Sequence, residues 1–154
     1  MLIKRFSFGG AAAIVTSVAL IIGLDAATAT RPTIIGGLLI VAIADNLTDS
    51  LSIHIYQESE RLEGREAFVA TLTNFAARLL VSLSFVVLVV LLPMRDAVPA
   101  ALAWGLLLLS GLTYLLARSR GANVASEIGK HIAVASVVIS ASKAIGMWIL
   151  ASLT

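Results

Sequence analysis

Four ionisable residues, Asp45, Asp49, Arg78 and Lys143, lie within long apolar stretches of the sequence. Two carboxylates four residues apart share one face of a helix, and their oxygens are ligands that hard or borderline divalent cations prefer. A charge at the centre of a membrane-spanning helix costs about 2.5–3.5 kcal/mol on insertion scales, so such residues are rare unless they are paired or functional. The four residues therefore predict an ion pathway; the alternative is a set of buried salt bridges that only fixes helix packing.

The composition indicates that these stretches lie in a bilayer. Of the 154 residues, 59% are hydrophobic and 13% are charged, whereas a soluble domain has roughly 45–50% apolar and about 25% charged residues. The 11 basic residues are scattered singly without an aromatic platform, which argues against nucleic-acid binding. The lack of cysteine excludes disulfides, thiolate metal ligands and cysteine nucleophiles.

Five stretches are long enough to cross a hydrocarbon core of roughly 30 Å, which takes about 20 residues of helix. They are residues 6–24, 34–56, 67–92, 98–117 and 132–153, joined by short connections. The predicted fold class is all-α, a polytopic membrane protein with a single transmembrane domain over residues 1–154. A secretory signal that ends at residues 27–29 is the alternative interpretation of the first span.

The distribution of basic residues predicts the orientation of these spans. A cytoplasmic N-terminus places seven basic residues inside and leaves only Arg31 and Arg95 outside. Five spans then put the C-terminus outside. We expect a multi-pass protein of the cell membrane, or of the inner membrane in a prokaryote.

Residue counts predict that the four charges lie at similar depth. Asp45, Arg78 and Lys143 each stand eleven residues from one end of their predicted span, or about 16 Å, close to the middle of the bilayer. Lys143 and Arg78 are the candidate proton-coupling or counter-ion residues. We expect Lys143 to act as a counter-ion of tunable charge and Arg78, whose charge is permanent, to have a structural role. Polar residues recur at helical spacing around them: Asp45, Asp49, Ser52 and Tyr56 in span two, Thr71, Asn74, Arg78 and Ser82 in span three, and Ser136, Ser140, Lys143 and Met147 in span five.

Near the cytoplasmic end of span two, His54 and Glu58 lie four residues apart on one helical face. Together with Asp45 and Asp49 they form the predicted metal ligands. The alternative is that His54 is a solvated interfacial residue. Glu127 and His131 have the same spacing and the same two interpretations.

Small residues in span one predict close helix packing. Gly9, Gly10, Ala12 and Ala13 fall within its first half. Small side chains let helix backbones approach closely in a membrane, where helix association depends on van der Waals contact.

Two sequence runs in spans one and two carry a family resemblance. Residues 9–23 read GGAAAIVTSVALIIG, similar to a first-helix pattern G-L-N-D-G-L-V-T-x-L-x-L-x-x-G. Residues 44–52 read ADNLTDSLS and residues 56–58 read YQE, similar to S-M-x-x-G-E-Y-x-S followed by S-Q-R-E. Residues 91–93 (LLP) and 144–146 (AIG) look like the L-L-P and L-I-G ends of later helices. In these runs the chain resembles the vacuolar iron transporter family of divalent-metal carriers.

The chain also departs from the pattern of this family. The first-helix aspartate, a metal ligand in the family, falls on Ala12, whereas the second-helix Met and Glu fall on Asp45 and Asp49. Only residues 57–66 stand where plant and fungal relatives insert cytoplasmic metal-binding helices. The resemblance implies a homodimer in which spans one and two of each protomer line a central path. It implies proton-coupled export of Fe²⁺ or Mn²⁺ from the cytosol, with no bound cofactor besides the transported ion.

Two other functions are weighed against transport. The spacing of Asp45 and Asp49 is similar to half of the magnesium site in membrane prenyltransferases and CDP-alcohol phosphotransferases. The nine acidic residues supply no second acidic motif on another helix, so we do not expect an enzyme. A non-transporting structural membrane subunit, or a carrier of another ion, remains the alternative, with the buried charges as salt bridges.

Overall fold

Five α-helices make up the part of the chain that the computed structural model describes, residues 2–59 and 64–153. They are α1 (Leu2–Ala26), α2 (Arg31–Ser59), α3 (Gly64–Leu91), α4 (Met94–Ser119) and α5 (Val124–Leu153). Side chains are described at residues 9–52, 54–56, 65 and 68–153. The described ranges contain no β-strand, which confirms the all-α prediction.

All five helices are long and apolar enough to cross a membrane. They contain 25 to 30 residues, or about 38–45 Å of helix. Many large apolar side chains are exposed on their outer faces, among them Val137 and Trp148 of α5. The length and hydropathy of the helices indicate a multi-pass membrane protein.

The connection between the last two helices is shorter than the sequence predicts. α5 begins at Val124, whereas the apolar pattern places the start of the fifth span at residue 132. The side chain of Asn123 accepts a hydrogen bond from the Ser126 N–H (3.1 Å), which satisfies a free donor at the helix N-terminus. Glu127 pairs with Lys130 one turn later (2.8 Å). These polar residues therefore extend the helix beyond its apolar window.

α1 is the central helix of the bundle and packs against each of the other four. α2 and α3 form the most extensive helix pair, whereas α5 packs mainly against α1 and α4. The apolar core lies around α1; its buried members include Ile14, Val18, Ile21, Ile34, Leu38, Phe85, Val89 and Leu109.

Small residues allow close approach at two contacts of α1. A Cβ at Gly9 would lie 2.8 Å from Cγ of Arg78, and one at Gly10 would just touch Leu112 of α4 at 3.4 Å. Ala13 is buried, as predicted for a packing residue, but Ala12 is exposed. The difference follows from helix periodicity, because Ala12 points away from the face that carries Gly9 and Ala13.

The first residue of α2 is tied to the last turn of α3. Arg31 Nε donates a hydrogen bond to the Val89 carbonyl (2.8 Å), and a second guanidinium nitrogen donates to the Val90 carbonyl. Carbonyls in the last turn of a helix have no partners within the helix, and a cation there is favoured by the helix dipole. Arg31 therefore joins the start of α2 to the end of α3.

Candidate functional site

The most highly connected buried side chain is that of Arg78, at mid-length of α3. Its Nε donates to Oδ1 of Asn46 (2.7 Å), and its two terminal nitrogens pair with Oδ2 of Asp45 (2.8 Å) and Oδ2 of Asp49 (2.5 Å). Arg78 is 1% exposed. Its planar guanidinium provides five donors in a fixed fork, so one side chain can hold three acceptors at once. The salt bridges of Arg78 with both aspartates, which the structural alternative predicts, are therefore present.

The arginine is buried because three helices make room for it. Its aliphatic stem lies against Gly9 of α1, where any side chain would collide with Cγ and Cδ. Asn74, one turn before it on α3, approaches the same glycine. The polar head then points to α2. Because Gly9 of α1 has no side chain, the long cationic side chain of Arg78 can lie between α1, α2 and α3.

The two aspartates stand at the edge of the α2–α3 contact. A line of buried α2 residues runs at four-residue spacing through Leu38, Ala42, Asn46 and Ser50, and Asn46 in this line bonds Arg78 of α3. Asp45 and Asp49 each precede one of these positions, and their side chains are 44% and 42% exposed. Each carboxylate therefore pairs with buried Arg78 while part of it faces out of the helix bundle.

The three charges do not cancel. The formal charges of two carboxylates and one guanidinium in the cluster of Asp45, Asp49 and Arg78 sum to −1. An arginine cannot give up its proton under ordinary conditions, so its charge is fixed. The cluster can therefore become neutral by taking up one positive charge.

Lys143 does not join this cluster. It is exposed on α5, and its neighbour Ser142 donates a hydrogen bond to the Ala19 carbonyl of α1 (2.6 Å). Ala19 lies about 10 Å from the end of α1, whereas Asp45 lies about 21 Å from the adjoining start of α2. The sequence count places Lys143 at the depth of Asp45, but α5 is shifted along its axis and packs on another side of α1. Its polar residues Ser136, Ser140, Lys143 and Met147 all face outwards.

The remaining predicted metal ligands are not gathered around the aspartates. His54 is half-buried on α2, and the side chain of Glu58 lies outside the described residues. Within the described part of the chain, no group of three or more His, Asp or Glu side chains could hold a metal ion. On α5, His131 shares a hydrogen bond with the buried Thr113 hydroxyl (2.8 Å), whereas Glu127 pairs with Lys130. His131 and Glu127 therefore each bond a different residue.

The structure adds a polar contact that the sequence analysis missed. We call Asn46 and Ser50 of α2 with Asn74 and Arg78 of α3 the polar seam; all four are buried. Asn46 also donates to the Ala42 carbonyl (2.5 Å). Among the described residues, neither the Ser50 hydroxyl nor the Asn74 amide has a hydrogen-bond partner, which is unusual for buried polar groups. In the sequence, the four-residue spacing of Asn46 and Ser50 was the signal that could have indicated this polar contact. Ser52 and Tyr56, which the sequence pattern places on one stripe with the aspartates, are exposed.

Comparison with known proteins does not identify a family. No protein-family model, curated protein or solved structure matches the chain. The assignment to the vacuolar iron transporter family stays a prediction from the motifs in spans one and two. The function has to be argued from the cluster of Asp45, Asp49 and Arg78 and the helices that carry it.

Proposed function

We propose that this chain is a multi-pass membrane transporter of divalent cations that exports Fe²⁺ or Mn²⁺ from the cytosol in exchange for protons. In this proposal the N-terminus is cytoplasmic, and Asp45 and Asp49 take the transported ion. The observation that carries it is the pair of half-exposed carboxylates around a fully buried arginine at mid-length of apolar helices.

The exposure of the carboxylates supports a site that a solute can reach. Each aspartate has one oxygen on Arg78. A half-exposed carboxylate surrounded by lipid would be costly, so intramembrane acids usually face a bundle interior or a water-filled cavity. We infer that this face of α2 lines an aqueous path, or is covered in a homodimer of the kind the family resemblance implies.

The fixed charge of Arg78 supports coupling to protons. With both acids ionised the cluster has a net charge of −1, so bound Fe²⁺ or Mn²⁺ would leave one excess positive charge beside the guanidinium. Two positive charges at short distance repel each other strongly in a medium of low dielectric constant. Metal and proton therefore compete for the same carboxylates, and Arg78, in place of Lys143, is the resident counter-ion of this proposal.

A structural role is the second candidate, favoured by the three bonds of Arg78. A buried arginine held by Asp45, Asp49 and Asn46 joins α2 to α3 whether or not an ion binds. Under this interpretation the chain is a non-transporting subunit. If the charges are only structural, the double variant Asp45→Arg with Arg78→Asp should preserve function. If the carboxylates form the metal site, the same variant should lose metal uptake.

Proteoliposomes that contain the purified protein provide the test. Uptake of Fe²⁺, Mn²⁺, Co²⁺ and Zn²⁺ is measured with and without an imposed pH gradient. We expect saturable uptake that follows the gradient and is lost in Asp45→Asn and Asp49→Asn. Ser52→Ala is the matched control, because Ser52 is exposed on α2 and its hydroxyl bonds the Thr48 carbonyl (3.0 Å). No uptake of any metal by folded protein would contradict the proposal.

A further inference from the structure

Two neighbouring residues of α2 share one edge of the Arg78 guanidinium. Oδ1 of Asn46 accepts a hydrogen bond from Nε (2.7 Å), and Oδ2 of Asp45 accepts one from Nη2 (2.8 Å). Nε and Nη2 form an edge that an arginine frequently gives to both oxygens of a single carboxylate. In this chain the edge is therefore divided between a neutral amide and a carboxylate.

The orientation of the Asn46 amide is fixed from two sides. Its Nδ2 donates to the Ala42 carbonyl one turn earlier (2.5 Å), while its Oδ1 accepts from Nε of Arg78. The reversed amide would place donor against donor and acceptor against acceptor, so both hydrogen bonds would be lost. Asn46 is 1% exposed. Its side chain therefore presents a fixed, uncharged acceptor to Arg78.

The rest of the Arg78 side chain is also held in place. Nη1 pairs with Oδ2 of Asp49 (2.5 Å), and the aliphatic stem lies against Gly9 of α1. Both carboxylates contact the guanidinium through Oδ2, and their side chains are 44% and 42% exposed. Each acid therefore combines an oxygen on a fixed cation with an exposed part that a second cation can approach.

We propose that Asn46 is a positioning residue, which keeps Asp45 available to a cation by occupying Nε of Arg78. Without this acceptor a buried donor would be left unsatisfied, which is costly. Because Asp45 already lies on the adjacent nitrogen, the guanidinium would satisfy Nε by taking the second oxygen of the same carboxylate. Asp45 would then have both oxygens engaged by Arg78. The inference rests on the proposed function, since it takes Asp45 and Asp49 as the cation ligands.

Two substitutions remove the acceptor in different ways. Asn46→Leu keeps the branched shape of the side chain, whereas Asn46→Ser keeps a hydroxyl that can bond its own helix but is too short to reach Nε. Loss of a hydrogen-bond partner of a metal ligand typically weakens metal binding about 10–100-fold, so both variants should bind Mn²⁺ at least about tenfold more weakly. Electron paramagnetic resonance of free Mn²⁺, with purified protein in micelles, measures this affinity.

Thr48→Val is the matched control on the same helix. Thr48 is exposed, and its hydroxyl donates to the Ala44 carbonyl (2.9 Å). The variant exchanges a polar side chain for an apolar one of similar shape, so its Mn²⁺ affinity should equal that of the wild type. Unfolding in micelles is recorded for every variant, so that affinities are compared between folded proteins.

A second measurement reports the guanidinium itself and needs no metal. In protein with isotope-labelled arginine, nuclear magnetic resonance detects the Nε–H group of Arg78, identified by its absence from Arg78→Lys. Charge-assisted hydrogen bonds are shorter and stronger than neutral ones. Transfer of Nε from the amide to the Asp45 carboxylate should therefore move its proton signal to lower field in both Asn46 variants, and Thr48→Val should leave it unchanged. An unchanged signal in the Asn46 variants, or a shift to higher field, would overturn the proposal.

The two measurements separate the positioning role from the proposed function. Wild-type protein that binds no Mn²⁺ would contradict the proposed function, and the Nε–H signal would still decide the role of Asn46. If the wild type binds Mn²⁺ and both Asn46 variants bind it equally well, the proposed function stands and the positioning role is wrong.

Discussion

The bundle contains two close helix contacts of opposite chemistry. Where α1 meets α5, a Cβ at Gly146 would collide with the Gly23 carbonyl, and the Ser142 hydroxyl is satisfied by the Ala19 carbonyl. Where α2 meets α3, an arginine, two acids and unpaired polar side chains are packed together. The first contact has the small residues that hold membrane helices together by close packing. The second includes polar groups that packing alone does not require, which is why we place the function there.

The largest expected effect is the loss of the buried cation. Arg78→Met should reduce the free energy of unfolding by about 3–5 kcal/mol, because Asp45 and Asp49 then lose their shared partner. Unfolding in detergent micelles measures this. Arg118→Met is the control, since Arg118 is exposed and its guanidinium bonds only the Tyr114 hydroxyl among the described groups. Equal stability of these two variants would show that the α2–α3 contact does not depend on its charges.

A second substitution tests the close packing of the other contact. Gly146→Ala should cost about 1–3 kcal/mol, because the new methyl group meets backbone that cannot move aside. Gly129 lies on the same helix, and a methyl group added there would have no atom within 4 Å beyond its own stretch of helix. Gly129→Ala should therefore be neutral, or stabilise by up to about 1 kcal/mol through helix propensity. If both variants behave alike in micelle unfolding, α1 and α5 do not pack as closely as described.

A smaller effect is expected from the hydrogen bond between the Ser142 hydroxyl of α5 and α1. Ser142→Ala removes the donor to the Ala19 carbonyl and should cost about 0.5–1.5 kcal/mol. Ser140→Ala, an exposed position on the same helix, serves as the reference in the same unfolding assay. A loss as large as that of Arg78→Met would remove the energetic distinction between the two contacts.

The smallest effect is expected at Lys143. A small effect there would support the assignment of function to the α2–α3 contact. Because Lys143 is exposed on α5 and away from the aspartates, Lys143→Met should change stability by no more than about 0.5 kcal/mol. Metal uptake into proteoliposomes should be unchanged. Loss of uptake in this variant would mean that the outer face of α5 takes part in the site, for example across a subunit interface.

The sequence predicts where the helices lie along the chain better than it predicts how each helix is rotated about its own axis. Five apolar runs of sufficient length are enough to place the helices, because run length is a direct physical requirement of a span. The pairing of Arg78 with Asp45 and Asp49 is also predictable, since buried charges in apolar helices need partners. Counting residues along the chain predicts Lys143 as a fourth member of the charge cluster. Such a count gives no information on the shift of α5 along its axis, so this prediction fails within the chain.

The face that each helix turns inwards was the part that the sequence could not supply. These helices are apolar on nearly every side, so hydrophobic periodicity does not distinguish an inner from an outer face. Asn46 and Ser50 are buried, whereas Ser52 and Tyr56, on the stripe chosen from the sequence, are exposed. Glycine positions contained part of the missing information: Gly9 marks the place where α1 accommodates the stem of Arg78.

The tie between Arg31 and the last carbonyls of α3 has a consequence for motion. α2 and α3 are joined at one end by this guanidinium and at mid-length by Arg78. A motion that slides or separates these two helices must therefore break both ties. The connections that flank the pair are short, residues 27–30 before α2 and residues 92–93 after α3. Thr28 has a left-handed backbone (φ 57°) and Pro93 an extended one (ψ 149°).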